Sequence, residues 1–179
     1  MVYVALLRGI NVGGHMVKME HLRELFTELG FAHVRTYIQS GNVFFESSAE
    51  DRAALTQAIE QHLRQALGYA VPVFLRTIPE LEHVLALDPL NGEPVPADQR
   101  LCIVFAANPI RGNLTLPLRS PKGDMEILQV TEREAIVVWY IINGRPPASD
   151  DFLAKTLGST LTTRFFHTTA KMVEAAKQG

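Results

Sequence analysis

The first 77 residues alternate between short apolar runs and longer stretches of helical periodicity, in an order that few folds accept. Val2-Tyr3-Val4-Ala5-Leu6-Leu7 is continuously apolar and reads as a strand buried on both faces. A glycine-rich loop, Gly9 to Val17, follows. Met19, Leu22, Leu25, Phe26 and Leu29 then recur at spacings of three and four, a helix that Gly30 ends as a left-handed cap. Val34 to Ile38 and Val43 to Phe45 are strands joined by the tight turn Ser40-Gly41-Asn42. Ser47 with Glu50, or Ser48 with Asp51, supplies a capping box for a helix that carries Leu55, Ile59, Leu63 and Leu67 and ends at Gly68. Val71 to Leu75 is a fourth strand. The order β-α-β-β-α-β is the ferredoxin-like plan.

Thr77-Ile78-Pro79-Glu80 starts a short helix through Leu87, and residues 88–99, rich in Pro, Asp, Asn and Gly, form the best linker. Strands follow at 101–106, 125–130 and 135–142, then short helices at about 150–157 and 167–177. Pro109, Gly112, Pro117, Pro121 and Gly123 leave little helix potential in 107–124. The second half thus reads as a worn copy of the first. The expected fold is α/β (α+β) with two ferredoxin-like halves, mainly antiparallel sheets with helices packed on them. The expected divisions are 1–77, a helix and linker at 78–99, and 100–179 with the C-terminal helices.

Hydrophobic residues make up 47% of the chain, enough for a real core, and the net charge is −2. Residues 1–77 carry seven basic and seven acidic residues and the remainder ten and twelve, so neither half is a basic nucleic-acid module. Cys102 is the single cysteine, in the strand-like run Leu101 to Phe105, and reads as a small buried hydrophobe. The apolar N-terminus stops at Arg8-Gly9, too short for a signal peptide or a membrane span, so the expected location is the cytoplasm. The six histidines show no ligand spacing, no metal site is expected, and there is no G-x-S-x-G elbow.

In this topology the first two strands are parallel, through a right-handed crossover, and the third runs the other way between them. The exit of strand one and the turn between strands two and three therefore share an edge. That brings the loop of Arg8, Asn11, Gly13, Gly14 and Lys18 beside Gln39, Ser40 and Asn42, next to a helix N-terminus with its unpaired N–H groups. Polar donors, two cations and a positive dipole end suit an anion or a phosphate. Gly9 and Gly14 bracket four residues as in a phosphate-binding loop, but His15 and Met16 stand where lysine and a hydroxyl are required, which excludes a P-loop. The plainer alternative is that the glycines and asparagines only shape turns. A second hydroxyl-rich run, Ser159 to Arg164, precedes the last helix. It reads as capping, or as a secondary anion site of Thr163, Arg164 and His167.

Leu7-Arg8-Gly9-Ile10-Asn11-Val12-Gly13-Gly14, Lys18-Met19 and Tyr37-Ile38-Gln39-Ser40-Gly41-Asn42-Val43 resemble the domain-of-unknown-function 1697 family, as do Thr162-Thr163-Arg164, Thr168 and Lys171. The resemblance spans nearly the whole chain. It implies two ferredoxin-like halves and a bacterial or related source, and brings no established activity, cofactor or partner. There are departures: Phe165-Phe166-His167 stands where the family usually has Asn-Trp-Asn or similar, and Gly144-Arg145-Pro146-Pro147 replaces a Gly-Arg-Ser-Lys-Leu-like stretch.

Three functions compete. The first is a site for a small anionic or phosphorylated ligand, a nucleotide or metabolite, at the 9–18 and 39–42 edge; no residue there is an evident acid, base or nucleophile. The second is RNA binding on the sheet face, because Val2 to Leu7 is close to the strand-one motif of RNA-recognition domains. The third strand lacks the matching basic and aromatic residues, and the charge is neutral. In the alternative to RNA binding, Tyr3, Leu7 and Phe45 are buried against the second half. The third function is a protein-interaction module using Phe165, Phe166, Met172 and Val173, which helical spacing also fits to internal packing.

Overall fold

A computed structural model describes residues 1–179. Its elements are β1 (Val2–Leu7), α1 (Met19–Glu28), β2 (Ala32–Thr36), β3 (Asn42–Glu46), α2 (Arg52–Leu67), β4 (Val73–Thr77) and α3 (Ile78–Leu85), followed by β5 (Gln99–Ala106), β6 (Leu118–Arg119), β7 (Met125–Val130), β8 (Glu134–Tyr140), α4 (Asp151–Leu157), β9 (Leu161–Phe165) and α5 (Phe166–Lys177). The fold is α+β, with two antiparallel sheets and five helices, as the element order predicts. The chain forms two compact units, Met1–Leu81 with Met172–Gly179, and Glu82–Lys171.

In the first unit the strand order is β2-β3-β1-β4, the ferredoxin-like arrangement. The register places Tyr3 opposite Phe45, Ala5 opposite Val43 and Leu75, and Leu7 opposite Val73. Side chains alternate across a strand, so these residues share one face. That face packs on Leu22, Leu25 and Phe26 of α1 and on Leu55, Ile59 and Leu63 of α2. Phe45 anchors an aromatic cluster, its ring centroid 4.4 Å from Phe31, 5.5 Å from Phe26 and 5.6 Å from Tyr3. The expectation that Tyr3, Leu7 and Phe45 meet the second half is thereby corrected: both crossover helices of a βαββαβ unit lie on one face, and these residues point at them.

Asp51, and neither serine before it, caps α2, its carboxylate accepting the Ala54 N–H at 3.0 Å. Ser47 is spent one step earlier, accepting the Ala49 N–H, so the expected capping box gives way to a single aspartate cap. Gly68 ends α2 in the left-handed region. Arg35 on β2 donates to the carbonyls of Ala175 and Ala176 at 3.1 and 3.0 Å, a cation at the carbonyl end of a helix.

The second unit orders its strands β6-β7-β8-β5-β9. Apart from the two-residue edge strand β6, this is again second-third-first-fourth, with no helix between β5 and β7. The core joins Val104, Ile127, Val137 and Leu161 of the sheet to Leu153 and Leu157 of α4. Segment 107–124 forms no α-helix and is pinned by backbone: Ile110 N–H donates to Glu132 O, Arg111 N–H to Leu157 O, and Asn108 N–H to the Ser159 hydroxyl. The hydroxyl-rich run expected to cap the last helix is instead strand β9, paired with β5 so that Val104 faces Thr163 and Ile103 faces Arg164. Leu-Thr-Thr-Arg-Phe is β-branched and aromatic enough to complete the sheet, and it passes into α5 with no turn between.

Candidate functional site

The loop after β1 and the β2–β3 turn do meet. Leu7 N–H donates to the Gly41 carbonyl at 2.8 Å. Gly41 has φ +76°, and a Cβ there would lie 3.1 Å from Leu7 Cβ and 3.2 Å from Ile10 Cβ, so only glycine lets the turn come this close. Asn11, itself left-handed at φ 59°, spans both segments. Its Nδ2 donates to Gln39 O at 2.9 Å, and its Oδ1 accepts the Val17 N–H at 2.7 Å. Asn42 is fully buried, and its Nδ2 donates to Tyr37 O at 3.2 Å and to the Ser40 hydroxyl at 2.8 Å. His15 lays its ring 3.9 Å from that of Tyr69, fixing the far side of the loop.

The sequence-derived residues therefore divide. Asn11 and Asn42 turn their amides inward and build the edge. Arg8, Gly13, Gly14, Lys18, Gln39 and Ser40 are exposed on it. Lys18 is the N-cap residue of α1 and makes no side-chain cap, so the first-turn N–H groups have no side-chain acceptor from that position.

Three residues at this edge escaped the sequence reading. Val12, Met16 and Ile38 are 59%, 72% and 51% exposed, three large apolar side chains within polar loops. Ile38 also has φ +49°, where a β-branched residue is a genuine outlier. The available signal was its place in Tyr37-Ile38-Gln39-Ser40-Gly41-Asn42, where it reads as the last residue of a strand; the strand ends at Thr36.

In the secondary group, Arg164 donates to the Thr163 carbonyl at 2.9 Å, while their side chains leave opposite faces of β9. Arg164 lies on β9 with Thr162, to whose hydroxyl it donates at 3.0 Å, and burial pushes its guanidinium down to about 10. His167 stacks on Phe165, whose side chain leaves the opposite face of that strand. Phe165 also meets Trp139 edge-on at 5.7 Å, while Met172 and Val173 are buried. Cys102 is buried too, and desolvation pushes its thiol up to about 12, which leaves it protonated and inert. Tyr3 and Phe45 lie beneath the helices, so the strand-one aromatic is not displayed on an open sheet. No helix is long and apolar enough to cross a membrane.

No curated protein matches the chain. A solved structure, that of a conserved bacterial protein from Streptococcus pneumoniae, matches over 98% of both chains at 23% identity with a TM-score of 0.65, a likeness of fold. The family model described as a protein of unknown function, DUF1697, matches residues 1–135, the span that holds the glycine-rich loop, the β2–β3 turn and the whole first sheet. The chain belongs to the DUF1697 family.

Proposed function

We propose that the chain binds a small anionic or phosphorylated ligand, of the nucleotide or metabolite class, at the edge formed by loop 9–18 and turn 39–42. The observation that carries this reading is Ile38. A β-branched residue held left-handed costs about 1–3 kcal/mol, and an exposed side chain returns little burial for it. Such strain is kept where a turn must present a fixed shape. The same loop and turn carry two exposed cations, Arg8 and Lys18, the start of α1, and the exposed hydroxyl and amide of Ser40 and Gln39. Val12 and Met16 add apolar surface beside the charge, which suits an anion attached to a flat or apolar group.

Nothing comparable favours RNA on the sheet, since Tyr3 is packed under α1 and α2. The test is a thermal-shift panel of nucleotides, sugar phosphates and simple anions. A ligand present at a hundred times its Kd stabilises the native state by about 2.7 kcal/mol, which is readily detected. A shift with one phosphorylated class, abolished in an Arg8→Ala, Lys18→Ala double variant, supports the site. A shift that the double variant keeps, or no shift across the panel, refutes it.

A further inference from the structure

The second unit holds a cavity of about 530 Å³, within the range of small-ligand sites and separate from the loop edge. Three short segments wall it: the turn after β6, the chain between β8 and α4, and one side of α4. Its cations are Lys122, Arg145 and Lys155, one from each wall, and its apolar surface comes from Met125, Ile142 and Phe152. Two carboxylates also line it. Asp124 accepts the Ser120 hydroxyl at 2.8 Å, and Asp151 sits in the first turn of α4. One positive charge is left in excess, in a chain whose net charge is −2.

The hairpin at 142–145 shows how charge and apolar surface come side by side. Asn143 and Gly144 both have positive φ, at 52° and 72°, as a two-residue primed turn requires. Ile142 and Arg145 exchange both backbone hydrogen bonds at 3.0 Å, which makes them directly opposed residues whose side chains leave the same face. The turn therefore delivers an apolar residue and a guanidinium to one wall of the cavity. Ile142 is 45% exposed there, a large apolar side chain open to solvent. Pro146 and Pro147 follow and fix the chain leaving the turn.

We propose that this cavity is a second ligand site, for a small molecule that joins one anionic oxyacid group, phosphate or carboxylate, to an apolar or aromatic body. The guanidinium of Arg145 presents a planar fork to two oxygens of the anion, and Lys122 and Lys155 supply the remaining charge. Ile142, Pro146 and Phe152 cover the body. The two carboxylates that line the cavity disfavour a second negative charge, which sets this site apart from one for a polyphosphate.

The experiment is an amide NMR titration of the isotope-labelled chain with phenyl phosphate and with benzoate, each against inorganic phosphate and phenol as its separated halves. The expected result is saturable shifts confined to 120–125, 142–149 and 151–156 with at least one conjugated probe. That probe binds about tenfold or more tightly than either half, because charge and burial act together. Phenyl phosphate preferred over benzoate assigns a phosphate headgroup, and the reverse assigns a carboxylate. An Arg145→Ala, Lys155→Ala double variant loses about tenfold or more in affinity, and so does Arg145→Glu alone. Each variant's otherwise unchanged spectrum certifies the fold. Shifts scattered over the surface, equal affinity for inorganic phosphate, or binding retained in both variants overturns the proposal. The Arg8→Ala, Lys18→Ala variant leaves this titration unchanged, so the loop-edge reading and this one fail independently.

Discussion

At Ile38 backbone and side chain make opposite demands. The left-handed φ of 49° suits glycine or asparagine, yet isoleucine occupies it and is half exposed. Ile38→Gly removes the left-handed penalty of about 1–3 kcal/mol and adds an entropic cost of about 0.5–1 kcal/mol, so the expected net is a higher Tm. The same change is expected to weaken whatever phosphorylated ligand the thermal-shift panel finds, since it loosens the turn and removes its apolar surface. A Tm that falls on this substitution would mean that the isoleucine is structural. Asn11 behaves in the opposite way. Asn11→Ala breaks the bond to Gln39 O and leaves the Val17 N–H without its acceptor, a cost of about 1–3 kcal/mol in urea unfolding. A loss near zero would show that water replaces the amide. Sequence reasoning singled out Asn11 and Asn42 as residues able to take left-handed backbone, which Asn11 does at φ 59° and Asn42, the first residue of β3, does not. It could not tell whether their amides face a ligand or the chain, since that depends on carbonyls 28 and 5 residues away.

Among the elements, helices and strands with a local signature were legible, and β9, defined by distant pairing alone, was not. Leu22, Leu25 and Phe26, or Leu55, Ile59 and Leu63, announce their helices because the repeat lies within one segment. β9 was hidden because Leu-Thr-Thr-Arg-Phe has no turn before α5 and is a strand only by virtue of β5. The start of α3 shows a local rule made stronger by a tertiary one. Thr77 and Glu80 form a reciprocal cap: Thr77 N–H donates to Glu80 Oε2 at 2.7 Å, and Glu80 N–H to the Thr77 hydroxyl at 3.4 Å. Arg52, at the start of α2, adds an ion pair to Glu80 at 2.8 Å. Burial pushes the Glu80 carboxyl up, but the Thr77 N–H and the Arg52 guanidinium together outweigh it and hold the carboxyl below its usual value. A depressed carboxyl stabilises the fold above the unfolded value, near about 4.3, and that contribution fades as pH drops through the folded value. Wild type is therefore expected to exceed Glu80→Gln in Tm at neutral pH, with the gap closing on acidification below about 4.3. The side chains are a third exposed or more, so the gap is small. A gap that is flat from neutral to acid pH would remove the ion pair and cap as its source.

At the scale of the whole molecule, one strand order occurs twice, β2-β3-β1-β4 and β7-β8-β5-β9, with the first crossover helix absent from the second copy. In the second copy the succession of three strands was readable from element order, without its fourth strand β9. What fills the missing helix was not readable, because segment 107–124 is held by its N–H groups on the Glu132 and Leu157 carbonyls and the Ser159 hydroxyl, none of them foreshadowed by local periodicity. Two natural probes sit in the second sheet. Cys102 is the sole cysteine, on β5 with strands on both sides, and Trp139 is the sole tryptophan, on the neighbouring β8. The thiol is buried and pushed up to about 12, so both access and ionisation oppose its reaction in the native state. An aromatic disulfide reagent at mildly alkaline pH is expected to leave the folded chain unlabelled over the time in which it fully labels the denatured one. In rising denaturant, the labelled fraction and the Trp139 fluorescence should trace the same transition, since adjacent strands of one small sheet have no core to keep if either leaves. Labelling that runs ahead of the fluorescence change would show β5 opening toward β9 while its pairing with β8 survives, and would make the second sheet less cooperative than its single core implies.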